Sequence, residues 1–239
     1  MNLQEQVYAE TEANSFFRRN FSQINLEPSG LRKEKEDIYQ NIVDHYEYRL
    51  SSLHVLEIGC CIGDLINKFR NDFSCNVVGI EPSSLACEYA LSKFNLPLIN
   101  DVYNQTEYFG FHPSSCLAFD IVIVDDVLSW MSREIILPAL ASIDWLVKPR
   151  GCIYLRDFCP PVDFAYPNHH QLGKNVYNYK VAGGHKKFFL NSGNYFLRQE
   201  FVRADSQYQK ITTSRPDFMI WSDAIIVKHE LPLYPRLEM

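Results

Sequence analysis

The sequence lacks several features that define other classes of protein. No apolar run approaches the roughly 18 residues of a membrane-spanning helix, and the acidic N-terminal residues do not resemble a secretion signal. Its seven cysteines are odd in number and include no C-x-x-C pair, which argues against a disulfide framework and a zinc site. We therefore expect reduced, mostly buried cysteines, no bound metal and a cytoplasmic location.

A surplus of basic residues is also absent. The chain has 23 Lys and Arg against 29 Asp and Glu, a net charge of −6. Proteins that bind nucleic acid usually carry a basic face, so a nucleic-acid partner is not expected. The length of 239 residues and the hydrophobic fraction of 46% predict one globular domain of moderate size.

An apolar strand, a glycine-containing turn and an amphipathic helix occupy residues 55–71. Gly59 and Gly63 allow positive φ angles and a close approach of a ligand to the backbone. The free N–H groups at the start of the helix favour a polar or anionic ligand. The pattern predicts a ligand-binding turn between a strand and a helix, formed by Gly59, Cys60 and Gly63.

This turn does not carry the dinucleotide-binding fingerprint G-x-G-x-x-G. Glu57 occupies the first glycine position and a third glycine is missing, which disfavours an NAD-dependent oxidoreductase. A carboxylate at this point suits a cationic ligand such as a sulfonium or an ammonium, directly or through the turn that it braces. The sequence Glu57-Ile-Gly59-x-x-x-Gly63 resembles the first motif of class I methyltransferases that use S-adenosylmethionine.

The resemblance continues at the ends of the next two predicted strands. Glu81 follows the apolar run 77–80 and precedes Pro82, which begins a helix; its carboxylate could accept both ribose hydroxyls. The alternative is a surface acid at a strand end. The resemblance further implies that Asp101 accepts the adenine amino group and that Val102 packs on the ring, although Asp101 could equally be an ordinary turn residue.

A continuous apolar run at 119–124 predicts a strand of a parallel sheet that is covered on both faces. Asp125 and Asp126 follow it, and two adjacent carboxylates there could stabilise a sulfonium or an amine and orient the acceptor. A helix N-cap is the alternative. Trp130 stands where many relatives have a histidine, and it is expected to form a wall of the acceptor site.

The ordered set of elements at 53–157 resembles the family strand by strand. It implies an α/β fold with a Rossmann-like doubly wound sheet, mostly parallel with an antiparallel last strand. We expect an N-terminal helical arm at 1–50, the cofactor-binding core at 53–157, a lid inserted after the fifth strand at 158–190, and terminal strands at 191–239.

The phenylalanines of the arm could simply pack on the domain. Alternatively, the arm covers the cofactor, and Arg18 or Arg19 binds its carboxylate; we assign this role to Arg19.

Residues 158–170 are rich in proline and aromatic residues and predict a long loop over the crevice. Imidazole titrates near neutrality and can take a proton from an acceptor hydroxyl, so His169, His170 and His185 are candidate catalytic residues. The carboxylate of Asp126 at the strand end is a further candidate. Neighbouring side chains predict a polar, partly cationic pocket suited to a phosphate or carboxylate group; we assign substrate binding to Tyr177, Tyr179 and Lys180, with Lys186 and Lys187 nearby.

The function that these expectations imply is the transfer of a methyl group from S-adenosylmethionine to an oxygen or nitrogen of a small polar molecule, such as a sugar or a natural-product intermediate. The acceptor would attack the sulfonium methyl in line, and most of the acceleration would come from positioning. Two alternatives stay open: a methyltransferase acting on protein or RNA, and a non-catalytic S-adenosylmethionine-binding partner protein.

Overall fold

A six-stranded sheet forms the centre of the fold. The computed structural model describes residues 3–103, 119–168, 170–171, 173–204 and 220–230. The strands of these residues are β1 His54–Ile58, β2 Asn76–Ile80, β3 Phe119–Asp125, β4 Val147–Phe158, β5 Phe164–Pro167, β6 Tyr177–Lys180, β7 Tyr195–Ala204 and β8 Ile220–Lys228. The central sheet has the order β2-β1-β3-β4-β8-β7, and β5 pairs with β6 in a separate antiparallel ribbon.

Helices cover both faces of the sheet. They are α1 Leu3–Val7, a π-helical turn Tyr8–Glu12, α2 Ala13–Phe21, α3 Lys33–His45, α4 Asp64–Phe73, α5 Ser84–Phe94, a short 3-10 helix Leu128–Trp130, α6 Ile136–Leu146 and α7 Lys186–Asn191. None of the helices among the described residues has the length and apolar character that a membrane crossing requires.

Strands β1 to β4 are parallel to one another, and β8 runs antiparallel between β4 and β7. Successive side chains of a strand face opposite sides of a sheet. Accordingly, Val55 packs with Ile38 and Ile42 of α3, whereas Leu56 packs with Leu140 of α6. The predicted Rossmann-like sheet, with helices at the N-terminus and an antiparallel last strand, is confirmed.

Several boundaries differ from the sequence-based prediction. Residues 96–99 form only a single bridge, Ile80 to Ile99, beside β2. Pro97 lacks the N–H that a ladder requires, which limits pairing there. The stretch 158–170 was expected to be a loop, but it contains β5. Alternating Phe164 and Tyr166 make it strand-like, and it pairs with β6 outside the central sheet.

The first described residues, 3–21, form one helical segment. From here on the term arm refers to these residues only and not to the whole expected segment 1–50. Phe17 and Phe21 pack against a small cluster that contains Ile62 and Ala86, which holds the arm to the start of α4 and α5. Arg32 lies over the ring of Phe21 at 4.7 Å and makes a buried two-pronged ion pair with Asp64. The arm is therefore packed on the domain by its second half.

A chain of buried charges crosses the sheet beside the strand ends, and we call it the buried ion chain. Lys35 Nζ of α3 lies 2.8 Å from both Glu57 Oε1 and Asp125 Oδ2. Arg156 is next to Asp125 in the β3–β4 register and forms an ion pair with Asp223 of β8. Four strands and one helix thus contribute to the series Glu57, Lys35, Asp125, Arg156 and Asp223.

Replacing Lys35 by Met should destabilise the protein by about 3–5 kcal/mol, because two buried carboxylates would lose their shared cation. Lys33→Met, two residues earlier on the exposed side of α3, should change stability by less than about 0.5 kcal/mol. Urea unfolding of both variants measures the difference. Equal stability of the two variants would contradict the assigned role of the buried ion chain.

Candidate active site

A cavity of about 340 Å³ opens at the carboxyl ends of β1, β2 and β3. Its size falls in the range of about 300–1,000 Å³ of small-molecule sites, and strand ends are where open α/β sheets bind ligands. The strands and the turns that follow them provide most of its wall, and the arm provides the rest. The lining includes Glu5, Tyr8, Glu12, Ala13, Phe16, Ile58, Gly59, Cys61, Ile80, Glu81, Pro82, Asp101, Val102, Asp125, Asp126, Val127, Trp130 and His170.

The turn after β1 depends on glycine at two positions. Gly59 lines the cavity with a φ of +70°, and a Cβ there would collide with Val127 Cγ2. Gly63 has a φ of +72° and lies at the N-terminus of α4, where a Cβ would be 2.9 Å from Leu96 Cδ2. Gly59 therefore borders the ligand space, while Gly63 shapes the turn from behind.

Cys60 was expected to contact the ligand, but its side chain does not line the cavity. It is fully buried and packs against β2, where a Cβ on Gly79 would be 2.6 Å from its sulfur. The next residue, Cys61, adopts a φ of +53° and lines the cavity instead.

Glu57 also lies beneath the turn and not in the cavity. Its carboxylate is fully buried and pairs with Lys35, and burial raises its pKa to about 7 against the opposing effect of Lys35. Of its two predicted modes, direct contact with a cationic ligand and bracing of the turn, the geometry matches bracing. Its effect on a ligand would pass through Lys35 and Asp125.

Glu81 joins the turns that follow β1 and β2. Its carboxylate accepts the backbone N–H of Cys61 at 2.8 Å and that of Ser83 at 2.7 Å, and it borders the cavity. Burial raises its pKa to about 7, although both N–H groups oppose the increase. The carboxylate is thus fixed in position, with oxygen lone pairs left for a ligand.

Asp101 and Val102 border the cavity beside Pro82. Asp101 Oδ1 accepts the N–H of Val102 at 2.7 Å, which fixes the carboxylate, and Val102 is almost fully buried. Together with Ile58 and Ile80 they form a slot that is apolar on its faces and acidic at its edge.

Asp125 and Asp126 line the cavity with different electrostatic surroundings. Burial alone would raise the pKa of Asp125, but Lys35 and Arg156 outweigh it and hold that pKa below its ordinary value. For Asp126 burial dominates and raises the pKa, with Lys180 opposing. Asp126 has a φ of +54°, and its N–H donates to the carbonyl of Arg156 at 2.9 Å.

Lys180 lies behind this pair in a cage of aromatic rings. Its Nζ is 2.6 Å from the ring centre of Phe158 and 5.9 Å from that of Trp130. Burial lowers its pKa, which Asp126 and Asp157 partly restore. It does not line the cavity, so the predicted contact of Lys180 with a substrate is not part of the observed geometry; Trp130, which was also predicted, does line it.

The arm contributes an acidic and aromatic wall that the sequence did not reveal. Tyr8 lies edge-on to Trp130 at 6.2 Å, and its hydroxyl accepts a hydrogen bond from Asn168 at 3.2 Å. Glu12 binds Arg19 at 2.6 Å and also Gln171. Arg19 is therefore engaged with Glu12 outside the cavity, and its expected contact with the cofactor carboxylate is not observed.

The remaining predicted residues are dispersed. His170 lines the cavity, and His169 lies outside the described residues. His185 is buried elsewhere because its Nδ1 pairs with Asp157. Tyr177 and Tyr179 do not line the cavity either; Arg133 lies over the ring of Tyr179.

The expectation of a cationic pocket is wrong for the described residues. Six residues with ionisable carboxyl groups line the cavity and neither lysine nor arginine does: Glu5, Glu12, Glu81, Asp101, Asp125 and Asp126. Lys186 instead pairs with Glu200 at 3.0 Å. The described part of the chain also contains no group of three or more His, Cys, Asp or Glu placed to hold a metal.

Two features of the site that were missed had a sequence signal. Lys35 lies three residues before Ile38 on the buried stripe of α3, a position where an apolar residue is expected. A charged residue within such a buried stripe indicates a buried ion pair. The second feature is the arm, whose cavity-facing residues recur at helical spacing along 5–16 but are mostly polar and do not form an apolar stripe.

The sheet order and the cavity at the strand ends are those of a Rossmann-like α/β protein with a candidate ligand site. Residues 55–151 match the family model described as a methyltransferase domain. The match begins in β1 and ends within β4, so this part of the chain resembles a methyltransferase domain. Among curated proteins, none is significantly similar to this sequence.

Solved structures share the fold at low sequence identity. The 1,6-didemethyltoxoflavin-N1-methyltransferase of Burkholderia thailandensis, with bound 1,6-didemethyltoxoflavin and S-adenosylhomocysteine, has a TM-score of 0.64 and 11% identity over 95% of this chain and 88% of that one. Magnesium protoporphyrin IX methyltransferase of Synechocystis PCC 6803, with bound S-adenosylmethionine, has a TM-score of 0.59 and 14% identity over 95% and 98%. The [4+2]-cyclase SpnF has a TM-score of 0.61 and 11% identity over 96% and 97%, so the fold alone does not define the reaction.

The buried Glu81 should make stability depend on pH. An unfolded Glu loses its proton near pH 4.3, whereas Glu81 in the native state keeps its proton up to about pH 7. Between these values the native state binds more protons than the unfolded state, so the free energy of unfolding should fall as pH rises and level off above about 7. Glu81→Gln should reduce this slope by up to about 1.4 kcal/mol per pH unit.

Urea unfolding from pH 4.5 to 8 measures the slope, with Glu88→Gln on the exposed face of α5 as the matched control. The raised pKa of Glu57 also makes the free energy of unfolding fall as pH rises, and this contribution should remain in the Glu81 variant. Identical slopes in the wild type and Glu81→Gln would show that the pKa of Glu81 is not raised.

Proposed function

We propose that this chain transfers a methyl group from S-adenosylmethionine to an oxygen or nitrogen of a small polar molecule bound in the cavity. One observation carries the proposal: six of the ten residues expected to hold the cofactor line the same cavity as Asp126, Trp130 and His170, which are expected on the acceptor side. In this proposal residues 53–157 bind the cofactor, while 1–50 and 158–190 enclose the acceptor.

The strand-end residues fit the chemical groups of the cofactor. Glu81 presents a fixed carboxylate to the ribose hydroxyls, and Asp101 with Val102 presents an acceptor and an apolar face to the adenine. Gly59 leaves the space that a side chain would fill. Asp125, kept ionised by Lys35 and Arg156, supplies negative charge for the ammonium or sulfonium of the methionine portion.

The acceptor would occupy the part of the cavity bounded by Asp126, Trp130, His170 and the arm. When bound, S-adenosylmethionine supplies a methyl group on a sulfonium, which a nucleophile can displace in line. Tyr8 and Trp130 would orient the acceptor, and Asp126 or His170 would hold the proton that the acceptor releases. The arm excludes water from this part of the cavity and fixes the acceptor in position, which is where most of the rate gain is expected.

An RNA acceptor is disfavoured by the acidic lining, because recognition of the phosphate backbone depends on lysine and arginine. A protein acceptor would have to pass between the arm and the expected lid at 158–190, which we call the insertion. These two segments are joined by hydrogen bonds of Gln4 with Tyr177 and of Tyr8 with Asn168. A small molecule therefore agrees best with the enclosed site.

Calorimetric titration should show binding of S-adenosylmethionine and no binding of NAD. Glu81→Ala should weaken S-adenosylmethionine binding by at least about tenfold, because a hydrogen bond to a charged group contributes about 1.5–3 kcal/mol. Glu88→Ala, exposed on α5, serves as the control and should leave the affinity unchanged.

Binding should also release a fraction of a proton at neutral pH, because ribose hydroxyls that donate to Glu81 favour its ionised form. The dependence of the binding enthalpy on the ionisation enthalpy of the buffer measures this release, and Glu81→Gln should abolish it. If the wild type fails to bind S-adenosylmethionine, the proposed function is wrong. If Glu81→Ala binds as tightly as the wild type, the ribose assignment is wrong.

A further inference from the structure

The acceptor side of the cavity carries an excess of negative charge. Two of the acids of the arm, Glu5 and Glu12, line the cavity, and so does Asp126, which follows β3. Glu12 is paired with Arg19, and Glu5 accepts the N–H of Ser132 at 3.3 Å. Neither lysine nor arginine is found among the described residues that line the cavity.

Lys180, the cation that opposes the raised pKa of Asp126, does not itself reach the cavity surface. Lys180 is 1% exposed, its Nζ is directed onto the rings of Phe158 and Trp130, and it donates a hydrogen bond to Ser129 Oγ at 3.5 Å. A positive charge at this buried position is disfavoured by desolvation. The acceptor would therefore experience the carboxylates directly and Lys180 only from behind a wall.

Aromatic rings complete the same wall. Tyr8 and Trp130 meet edge-to-face at an interplanar angle of 63°, and both line the cavity. Ring faces attract cations, and the attraction increases when the cation is removed from water. Carboxylates combined with aromatic rings recognise an ammonium, whereas a phosphate or carboxylate would be repelled by the acids.

We infer that the acceptor enters as a cationic amine, bound between Asp126, Glu5 and the Tyr8–Trp130 corner, and is methylated on nitrogen. The inference rests on the proposed function and specifies its substrate class. It replaces the anionic acceptor expected from the sequence, since the lysines on which that expectation relied do not reach the cavity.

The reaction requires one proton transfer before methyl transfer. An ammonium has no lone pair, so it must first give a proton to the Asp126 carboxylate. The nitrogen lone pair then forms the N–C bond, while the C–S bond breaks and its electron pair stays on sulfur as S-adenosylhomocysteine. The product is a methylated ammonium, and the proton on Asp126 leaves to solvent. Burial makes Asp126 a stronger base than an ordinary aspartate.

The test measures both transfer and binding. Transfer of tritium from methyl-labelled S-adenosylmethionine is measured with a panel of amines. The panel contains the primary amines butylamine, benzylamine and 2-phenylethylamine, and bases of the imidazole and pyridine type. Each primary amine is compared with the alcohol and the carboxylate of the same skeleton. Calorimetry with the S-adenosylhomocysteine-loaded protein compares benzylamine, benzyl alcohol and benzoate. We expect transfer and binding to be confined to the amines.

Two variants test the assigned carboxylates. Asp126→Asn should lower kcat for the best amine by at least about 100-fold, the typical contribution of a general base, while S-adenosylhomocysteine affinity is retained. Glu5→Gln should weaken amine binding with less effect on kcat. Glu36→Gln, exposed on α3, is the matched control and should match the wild type.

Transfer to an alcohol or a carboxylate in preference to its matched amine would overturn the inference. It would also be overturned if S-adenosylhomocysteine binds but no amine is methylated, or if Asp126→Asn retains full kcat. Failure of the wild type to bind S-adenosylhomocysteine is a different result, because it would overturn the proposed function itself.

Discussion

The buried ion chain is the interaction on which the site depends. Lys35 bridges Glu57 of β1 and Asp125 of β3, and Arg156 continues the alternation of charge to Asp223 of β8. A well-packed apolar cluster would often be as stable as such buried ion pairs. Unlike an apolar cluster, however, the buried ion chain keeps Asp125 ionised at the point where β3 reaches the cavity.

The same chain separates the roles of two neighbouring carboxyl groups. Asp125 contacts Lys35 and its pKa is lowered, whereas Asp126 turns away in a left-handed conformation and burial raises its pKa. Adjacent carboxyl groups whose environments drive their pKa values apart are typical of acid–base sites. One can provide a fixed negative charge for the cofactor while the other exchanges a proton with the acceptor.

The arm gives the cavity its acceptor side. A π-helical turn at Tyr8–Glu12 interrupts the arm where it crosses the crevice, and such turns are frequent at functional sites. Residues of the arm contact the insertion through Asn168 and Gln171, so the wall is built by two segments that are distant in sequence. The enclosure predicted for residues 158–190 is thus supplied mainly by the arm among the described residues.

The order of elements and the strand-end acids could be predicted because their signals are local. A continuous apolar run predicted β3, and the spacing from Gly59 to Glu81 predicted two strand ends at one crevice. The charge of the acceptor side could not be predicted, because it depends on which side chains tertiary packing turns inward. Arg19 pairs with Glu12, Lys186 pairs with Glu200, and His185 pairs with Asp157, so three polar groups that looked available are engaged elsewhere.

The most direct measurement of this account is a crystal structure of the complex with S-adenosylhomocysteine. The account predicts the ribose hydroxyls within hydrogen-bonding distance of Glu81, the adenine against Val102, and the sulfur directed toward Asp126 and Trp130 with the arm closed over it. A ligand bound elsewhere, or an arm displaced so that Glu5 and Glu12 face solvent, would contradict it.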